Sequence, residues 1–180
     1  MERTLVIIKP DGVRRQLVGD IIARFERCGL EIERLVQVLA SADLLWRHYP
    51  SDEEWLAKVG GKTIKTYQTY GIDAVQELGT ADPLEIGKMV KKWLVEFMTS
   101  GPVVAFVLRG NHAVDVVRKI TGDTIPLFAA PGTIRGDYAV DSPDLANAEH
   151  RAVANLVHAS GTVEEAKYEI GLWVPDLAAS

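Results

Sequence analysis

The chain has 180 residues, 47% of them apolar and 25% charged, which is the scale of one globular domain, 1–180, with a buried core. A formal charge of −5 excludes non-specific duplex binding as a main role, because that binding rests on basic residues that neutralise phosphates. The lone cysteine, Cys28, rules out an internal disulfide, the N-terminus lacks the apolar core of a signal peptide, and the longest apolar run, Val103 to Leu108, is far too short to span a membrane. A soluble, cytoplasmic protein is expected, in which any phosphate site is a local cluster of cations.

Thr4-Leu5-Val6-Ile7-Ile8 is β-branched and apolar, which predicts a central strand, and Lys9-Pro10-Asp11-Gly12 has the turn chemistry that ends one. From Gly19 a helix is predicted with Ile21, Ile22, Phe25 and Cys28 on one face and Gly29 as its left-handed cap. Leu30 to Leu39 reads as a second strand whose alternation breaks near Arg34, the mark of a bulge or twist. Tyr49 to Asp82 is polar, carries its own capping signal in Ser51-Asp52-Glu53-Glu54, and reads as a surface insertion at about 50–82, a subdomain or subunit contact with no catalytic role.

Asp82-Pro83-Leu84-Glu85 opens a helix that buries Ile86, Val90, Trp93, Leu94 and Phe97 and stops at Ser100-Gly101-Pro102. The run from Val103 predicts a strand covered on both faces. Asn111 is then placed to cap a helix carrying Val114, Val117 and Ile120, with Gly122 at its end. Ser142-Pro143-Asp144 marks a short helix inside a second insertion at about 141–151, and Thr162-Val163-Glu164-Glu165 opens a final helix burying Val163, Ala166 and Ile170. This order predicts an α+β sandwich with mainly antiparallel strands, close to the split β-α-β plan.

Among four histidines, His158 alone combines an apolar approach, Leu156-Val157, with a polar exit and an adjacent helix start whose N–H groups favour anions. An imidazole titrates near neutrality, so it can attack phosphorus without a dedicated base. Lys9 reads as a solvated lysine at a strand end, with a phosphate-facing charge as the alternative. Arg118 divides evenly between surface and function, whereas Arg135, set between glycines in Pro131-Gly132-Thr133-Ile134-Arg135-Gly136-Asp137, leans to function. His48 beside Tyr49 is structural or site-lining; His112 and His150 read as solvated. The spacings match no zinc site, glycine-rich phosphate loop or dinucleotide fingerprint.

Five segments in order, Thr4 to Val13, Ser100 to Val104, Pro131 to Asp137, Asn155 to Ser160 and Glu169 to Trp173, resemble those of nucleoside diphosphate kinases. The resemblance implies a ferredoxin-like α/β sandwich with a mainly antiparallel four-stranded sheet. It further implies ping-pong transfer of a γ-phosphoryl group from a nucleoside triphosphate to a nucleoside diphosphate through a phosphohistidine. By motif, His158 is the nucleophile, Glu169 orients it and Ser160 bonds nearby; Arg118, Arg135 and Thr124 hold phosphates; Lys9 reaches the sugar hydroxyl and the transferring phosphate, and Asn155 the sugar; Tyr49 lines the site. Mg²⁺ comes on the nucleotide's phosphates, with no metal held directly by the protein. Hexamers, or tetramers, are the family's usual homo-oligomers.

Two positions depart from the family's pattern. Gly161 stands where an acid is common, and Val90 where a base-stacking phenylalanine is usual, so Val90 and Leu94 are the predicted base clamp, with Trp93 beside them. The second insertion is expected to prop the Asn155 to His158 segment. A nucleotide-binding relative without transfer and a phosphohistidine carrier between proteins are the rival readings.

Overall fold

In the computed structural model, which describes residues 1–178, the chain runs β1 (Glu2–Ile8), α1 (Pro10–Arg14), α2 (Val18–Glu26), β2 (Glu31–Val38), α3 (Ala42–His48), α4 (Glu53–Thr69), α5 (Ala74–Leu78), α6 (Pro83–Thr99) and β3 (Val103–Gly110). It continues through α7 (Ala113–Thr121), a single 3₁₀ turn at Pro126–Phe128, α8 (Ile134–Tyr138), α9 (Pro143–Ala148), β4 (Val157–Ala159), α10 (Val163–Trp173) and α11 (Pro175–Ala178). The four strands lie in the order β2-β3-β1-β4 with every neighbouring pair antiparallel, the ferredoxin-like α+β arrangement that the sequence predicts.

Helices cover both faces, which explains why β1 and β3 are apolar without alternation: Leu5 to Ile8 and Val103 to Leu108 are buried throughout. Val6, Ile8, Phe106 and Leu108 pack on Phe25 of α2 and Val117 of α7, while Leu5, Ile7, Ala105 and Val107 pack on Leu45 of α3, Met98 of α6 and Ile170 of α10. Each such side chain contributes about 1.5–3 kcal/mol by leaving water. The predicted irregularity in β2 is a register shift between Ile32 and Arg34, and the extra residue, Glu33, turns its carboxylate to Arg3 at 2.6 Å and Arg109 at 3.4 Å.

Several local expectations are corrected. Lys9 to Gly12 begins the short helix α1 rather than a turn, with Pro10 at its first position. Cys28 falls beyond the end of α2 and is exposed, although Gly29 does take the left-handed conformation at φ +82. Asn111 does not cap α7; His112 occupies the cap with φ +48, and the Glu2 carboxylate accepts the Val114 N–H at 3.4 Å. Val163 is about half exposed, and α10 buries Glu169 and Trp173 beside Ala166 and Ile170.

On α6 the fully buried positions are Ile86, Gly87, Lys91, Val95 and Met98, whereas Val90, Trp93, Leu94 and Phe97 are only half-buried. Lys91 is the surprise, since a buried ammonium needs partners. It finds them at the C-terminal end of α3, donating to the carbonyls of Trp46 (3.1 Å), Tyr49 (2.7 Å) and Pro50 (3.1 Å) and to Ser51 Oγ. The Trp46 and Tyr49 acceptors are orphan carbonyls of the helix end and its cap, where positive charge is favoured.

Helix α4 opens as predicted on Asp52, whose carboxylate accepts the Trp55 N–H at 2.8 Å. It lies on α6 along Leu56, Gly60, Thr63 and Tyr67, a helical stripe. The approach is backbone to backbone: a Cβ on Gly60 would sit 1.9 Å from the Pro83 carbonyl oxygen, and one on Gly87 would sit 2.0 Å from that of Leu56. Gly87→Ala should therefore destabilise the protein by about 1–3 kcal/mol. Gly61→Ala, where nothing lies within 4 Å of the added methyl, should instead stabilise by about 0.5–1 kcal/mol through helix propensity. Urea unfolding of both variants checks this, and equal effects would show that the helix crossing is not tight.

Candidate active site

β4 is only three residues long and pairs His158 opposite Ile7 of β1. Opposed residues in an antiparallel pair share a face, so the imidazole points toward α3, α6 and α10 while Val157 enters the other core layer. The approach is strained. Leu156, a buried non-glycine residue, has φ +68, and the Val157 N–H reaches back to the Asn155 carbonyl at 2.8 Å, closing a rare three-residue turn. Such a conformation costs on the order of 1–3 kcal/mol and persists only when neighbours over-determine it.

The neighbours are on hand. Leu156 donates its N–H to Asp11 Oδ2 at 3.0 Å and accepts the Lys9 N–H at 2.8 Å. Arg135, buried in α8, donates Nε to the Asn155 carbonyl at 3.1 Å and Nη2 to that of Val157 at 2.5 Å. Its Nη1 reaches the carbonyls of Gly122 and Asp123 at 2.9 and 3.1 Å. A guanidinium has five N–H donors, so one remains for the cleft. Burial lowers its pKa to about 10, with Arg118 adding to the effect against Asp123, and it stays cationic at neutral pH.

Behind the imidazole, His158 Nε2 lies 2.7 Å from Glu169 Oε1, and the Ser160 hydroxyl donates to Glu169 Oε2 at 2.6 Å. A carboxylate accepts, so the proton sits on Nε2 and the Nδ1 lone pair is left for chemistry. Burial, then Lys9, Arg135 and Arg118, lower the His158 pKa against the opposing charge of Glu165, so the ring is neutral at working pH. Burial raises the Glu169 carboxyl, opposed by His48 and Ser160. His48 is itself buried, 3.4 Å from Glu169 through Nδ1, takes the Trp173 indole N–H at 3.2 Å, and has its pKa lowered to about 3 by burial. Ligand atoms of His48, His158 and Glu169 lie within 4.8 Å of one another, a set able to hold a cation, although the His158–Glu169 and Trp173–His48 hydrogen bonds already use it.

Lys9 is buried, donates Nζ to Asn155 Oδ1 at 2.7 Å, and stands 5.9 Å from the Phe97 ring centre. Burial, with Arg135 adding, lowers its pKa to about 8. Asn155 completes a link by donating Nδ2 to the Thr124 carbonyl at 2.8 Å. A cleft of about 880 Å³ opens over these groups, lined by Lys9, Tyr49, Val90, Leu94, Arg118, Thr124, Arg135, Asn155 and His158. The volume suits a substrate of nucleotide size. Glu169 and Ser160 sit behind His158, outside the lining.

The helix start after His158 differs from expectation. The Glu165 N–H of its first turn is taken by Thr162 Oγ1 at 3.1 Å, and the Gly161 N–H ahead of the helix by the Glu165 carboxylate at 2.9 Å. A Cβ on Gly161 would lie 2.6 Å from that carboxylate, so Glu165 fills the space where a side chain at 161 would go.

Sequence reasoning missed Asp11, whose turn reading hid its long-range contact, and the α4 side of the cleft, where Lys62, Thr66, Thr69 and Tyr70 join the lining. Lys62, Thr66 and Thr69 share one helical face by their spacing, but that pattern does not tell a cleft-facing stripe from a solvent-facing one.

The chain matches the nucleoside diphosphate kinase family model over residues 2–57 and 85–178. The chain belongs to the nucleoside diphosphate kinase family. It is 56% identical to a nucleoside diphosphate kinase of Pyrobaculum aerophilum over 173 residues, covering 96% of this chain and 94% of the relative. It is 40% identical to that of Mycobacterium tuberculosis over 175 residues, 97% of each. Among solved structures, an NDP kinase from Pyrobaculum aerophilum superposes with TM-score 0.94 at 55% identity, covering 96% of this chain and 94% of that one. A transition-state mimic of the Borrelia burgdorferi nucleoside-diphosphate kinase, with bound vanadate and ADP, superposes with TM-score 0.77 at 33% identity over 98% and 89%. As a nucleoside diphosphate kinase, this enzyme transfers phosphoryl groups between nucleotides.

The family model leaves 58–84 unmatched. The second predicted insertion includes α9, and Asp141 ahead of it binds Arg151 at 2.6 and 3.0 Å and accepts the Ala154 N–H at 2.6 Å, one residue before Asn155. Against the upward pull of burial, Arg151 and that N–H hold the Asp141 carboxyl below its ordinary range. Asp141→Ala should cost about 1–3 kcal/mol of stability and raise KM for the diphosphate. An unchanged melting temperature and KM would mean that this element does not brace the catalytic segment.

Proposed function

We propose that His158 carries the phosphoryl group and that the residues around it divide the work of a two-step transfer. In the first step the Nδ1 lone pair attacks the γ-phosphorus of a nucleoside triphosphate; the bond to the β–γ bridging oxygen breaks and the diphosphate leaves with that electron pair. In the second, a terminal oxygen of another nucleoside diphosphate attacks the phosphorus, the P–N bond breaks, and Nδ1 regains its lone pair. Nε2 keeps its proton throughout. The observation that carries this reading is the 2.7 Å contact of Nε2 with Glu169, which leaves Nδ1 on the cleft side.

Phosphoryl transfer needs positioning and charge compensation more than proton traffic. Arg118, the remaining N–H of Arg135 and Thr124 would hold the phosphates; Lys9 would meet the transferring group and, with Asn155, the sugar. Tyr49, Val90 and Leu94 would bound the rest of the site. The Borrelia relative's bound vanadate and ADP support a nucleotide seated in this cleft. Mg²⁺, carried on the nucleotide's phosphates, would neutralise charge between them. Among the described residues the lining holds Lys9, Arg118 and Arg135 but a single carboxylate, Asp123, a donor set that fits a metal brought by the nucleotide rather than a protein cage.

A homo-oligomer, hexameric or alternatively tetrameric, fits the exposed apolar groups Leu35 and Leu39 at the β2 edge and Leu127 and Phe128 in the loop before α8. We place the enzyme in the cytoplasm and read 1–180 as one domain carrying insertions at about 50–82 and 141–151. No helix among the described residues is long and apolar enough to cross a membrane.

Incubation with radiolabelled ATP should give an acid-labile phosphoprotein that CDP discharges as CTP, and His158→Gln should abolish the label. Label persisting in that variant would place the nucleophile elsewhere. In a pH series, kcat/KM for the diphosphate should fall above about pH 8, because Lys9 is charged below its lowered pKa and neutral above it. A profile flat to pH 9.5, one and a half units above that value, would show that the Lys9 charge is not used.

A further inference from the structure

Helix α4 turns two faces to the protein. Leu56, Gly60, Thr63 and Tyr67 account for its packing on α6 and α9. A second stripe, Lys62, Thr66, Thr69 and Tyr70, is not used in that packing, yet it borders the same cleft as His158. All four lie within 58–84, the stretch outside the family model.

The position of α4 along α6 says which part of a nucleotide this stripe would meet. Phe97 of α6 stands beside Lys9, at the phosphate and sugar end. The crossing with α4 is at Gly87, ten residues and therefore roughly 15 Å nearer the start of α6 at 1.5 Å per residue. Val90 and Leu94 lie between the two points. A nucleotide with its phosphates at His158 thus extends its base along α6 toward α4.

The stripe is polar, opposite the apolar Val90 and Leu94 of α6. Thr66 and Thr69 donate their hydroxyls to the carbonyls of Lys62 and Lys65 at 3.0 and 2.8 Å, which leaves their oxygen lone pairs as acceptors. Lys62 adds an exposed ammonium donor.

We propose that α4 is a second wall of the nucleotide site, and that Lys62 and Thr66 bond the edge of the nucleobase. Contacts with α9 and with His150 just beyond its end hold α4, and α5 behind it, in place. Tyr67 donates its hydroxyl to the Asn147 carbonyl of α9 at 3.2 Å, Glu77 pairs with His150 at 3.2 Å, and His150 stacks on Trp93 with 5.9 Å between ring centres. An apolar clamp such as Val90 with Leu94 accepts any base, whereas hydrogen-bonding groups make affinity depend on the base presented.

This inference rests on the proposed placement of phosphates at His158, and the test separates the two. The double variant Lys62→Ala/Thr66→Val is compared with wild type and with Lys58→Ala, which changes an exposed lysine of α4 outside the cleft lining. Binding of ADP, GDP, CDP and UDP is measured by calorimetry beside magnesium tripolyphosphate, a probe with no base. The double variant should weaken the nucleoside diphosphates by roughly 3- to 10-fold, the loss expected for one or two hydrogen bonds, and by different factors for different bases. Tripolyphosphate binding should stay within twofold, and Lys58→Ala should match wild type.

Equal weakening of tripolyphosphate would mean that α4 acts only through its charge, and no weakening of any ligand would remove α4 from the site; either result overturns the inference. Circular dichroism melting shows that the variant is folded. If wild-type enzyme fails to label on His158, the underlying placement fails, whatever α4 does.

Discussion

A single part-buried hydrogen bond, from His158 Nε2 to Glu169 Oε1 at 2.7 Å, fixes what the rest of the molecule has to accomplish. It sets the tautomer, leaves Nδ1 as the free nitrogen of a residue that lines the cleft, and, in the proposed mechanism, keeps an anion behind the phosphorylated ring. Glu169 is in turn held by Ser160, whose backbone N–H also bonds the Leu5 carbonyl of β1 at 3.2 Å. The sheet, α10 and His158 are therefore registered to one another through one carboxylate. Cations on the cleft side and burial on the other keep the imidazole neutral until phosphorus arrives.

The same region carries strain. The left-handed Leu156 costs on the order of 1–3 kcal/mol, comparable to one or two of the hydrogen bonds that oppose it, and four such bonds hold it and its flanks: one donated to Asp11, one accepted from the Lys9 N–H, and two from Arg135 to the Asn155 and Val157 carbonyls. The clamp outweighs the strain. Arg135 consequently has a double task, most of its donors fixing backbone and one facing the cleft. Loss of this side chain would disturb geometry as well as charge, so the kinetics of an Arg135 variant would not isolate a phosphate contact.

Local, periodic signals in the sequence translate well into structure. The apolar runs at 4–8 and 103–108, the caps at Asp52, Asp82 and Thr162, and the break in β2 are each set by neighbours within a few residues. What escaped is set by distance in sequence. Asp11 serves a backbone 145 positions away, Lys91 caps a helix end about forty positions earlier, and Glu165 fills the space above Gly161, where the lack of an acid pointed to a gap in the local hydrogen bonds. The polar stripe of α4 carries no mark that separates a cleft-facing wall from a solvent-facing one. All eleven residues named from sequence and motif do converge, nine on the cleft and two behind His158; their individual roles rest on the mechanism proposed above.

The atom that receives the phosphoryl group tests that mechanism most directly. Phosphoenzyme prepared from protein with ¹⁵N-labelled histidine and trapped at alkaline pH can be read by NMR through its nitrogen–phosphorus coupling. Coupling to Nδ1 of His158, with Nε2 still protonated, is the predicted result. Coupling to Nε2 would contradict it, because the nitrogen held by Glu169 would then be the nucleophile and the hydrogen bond at the centre of the site would have to break in every cycle.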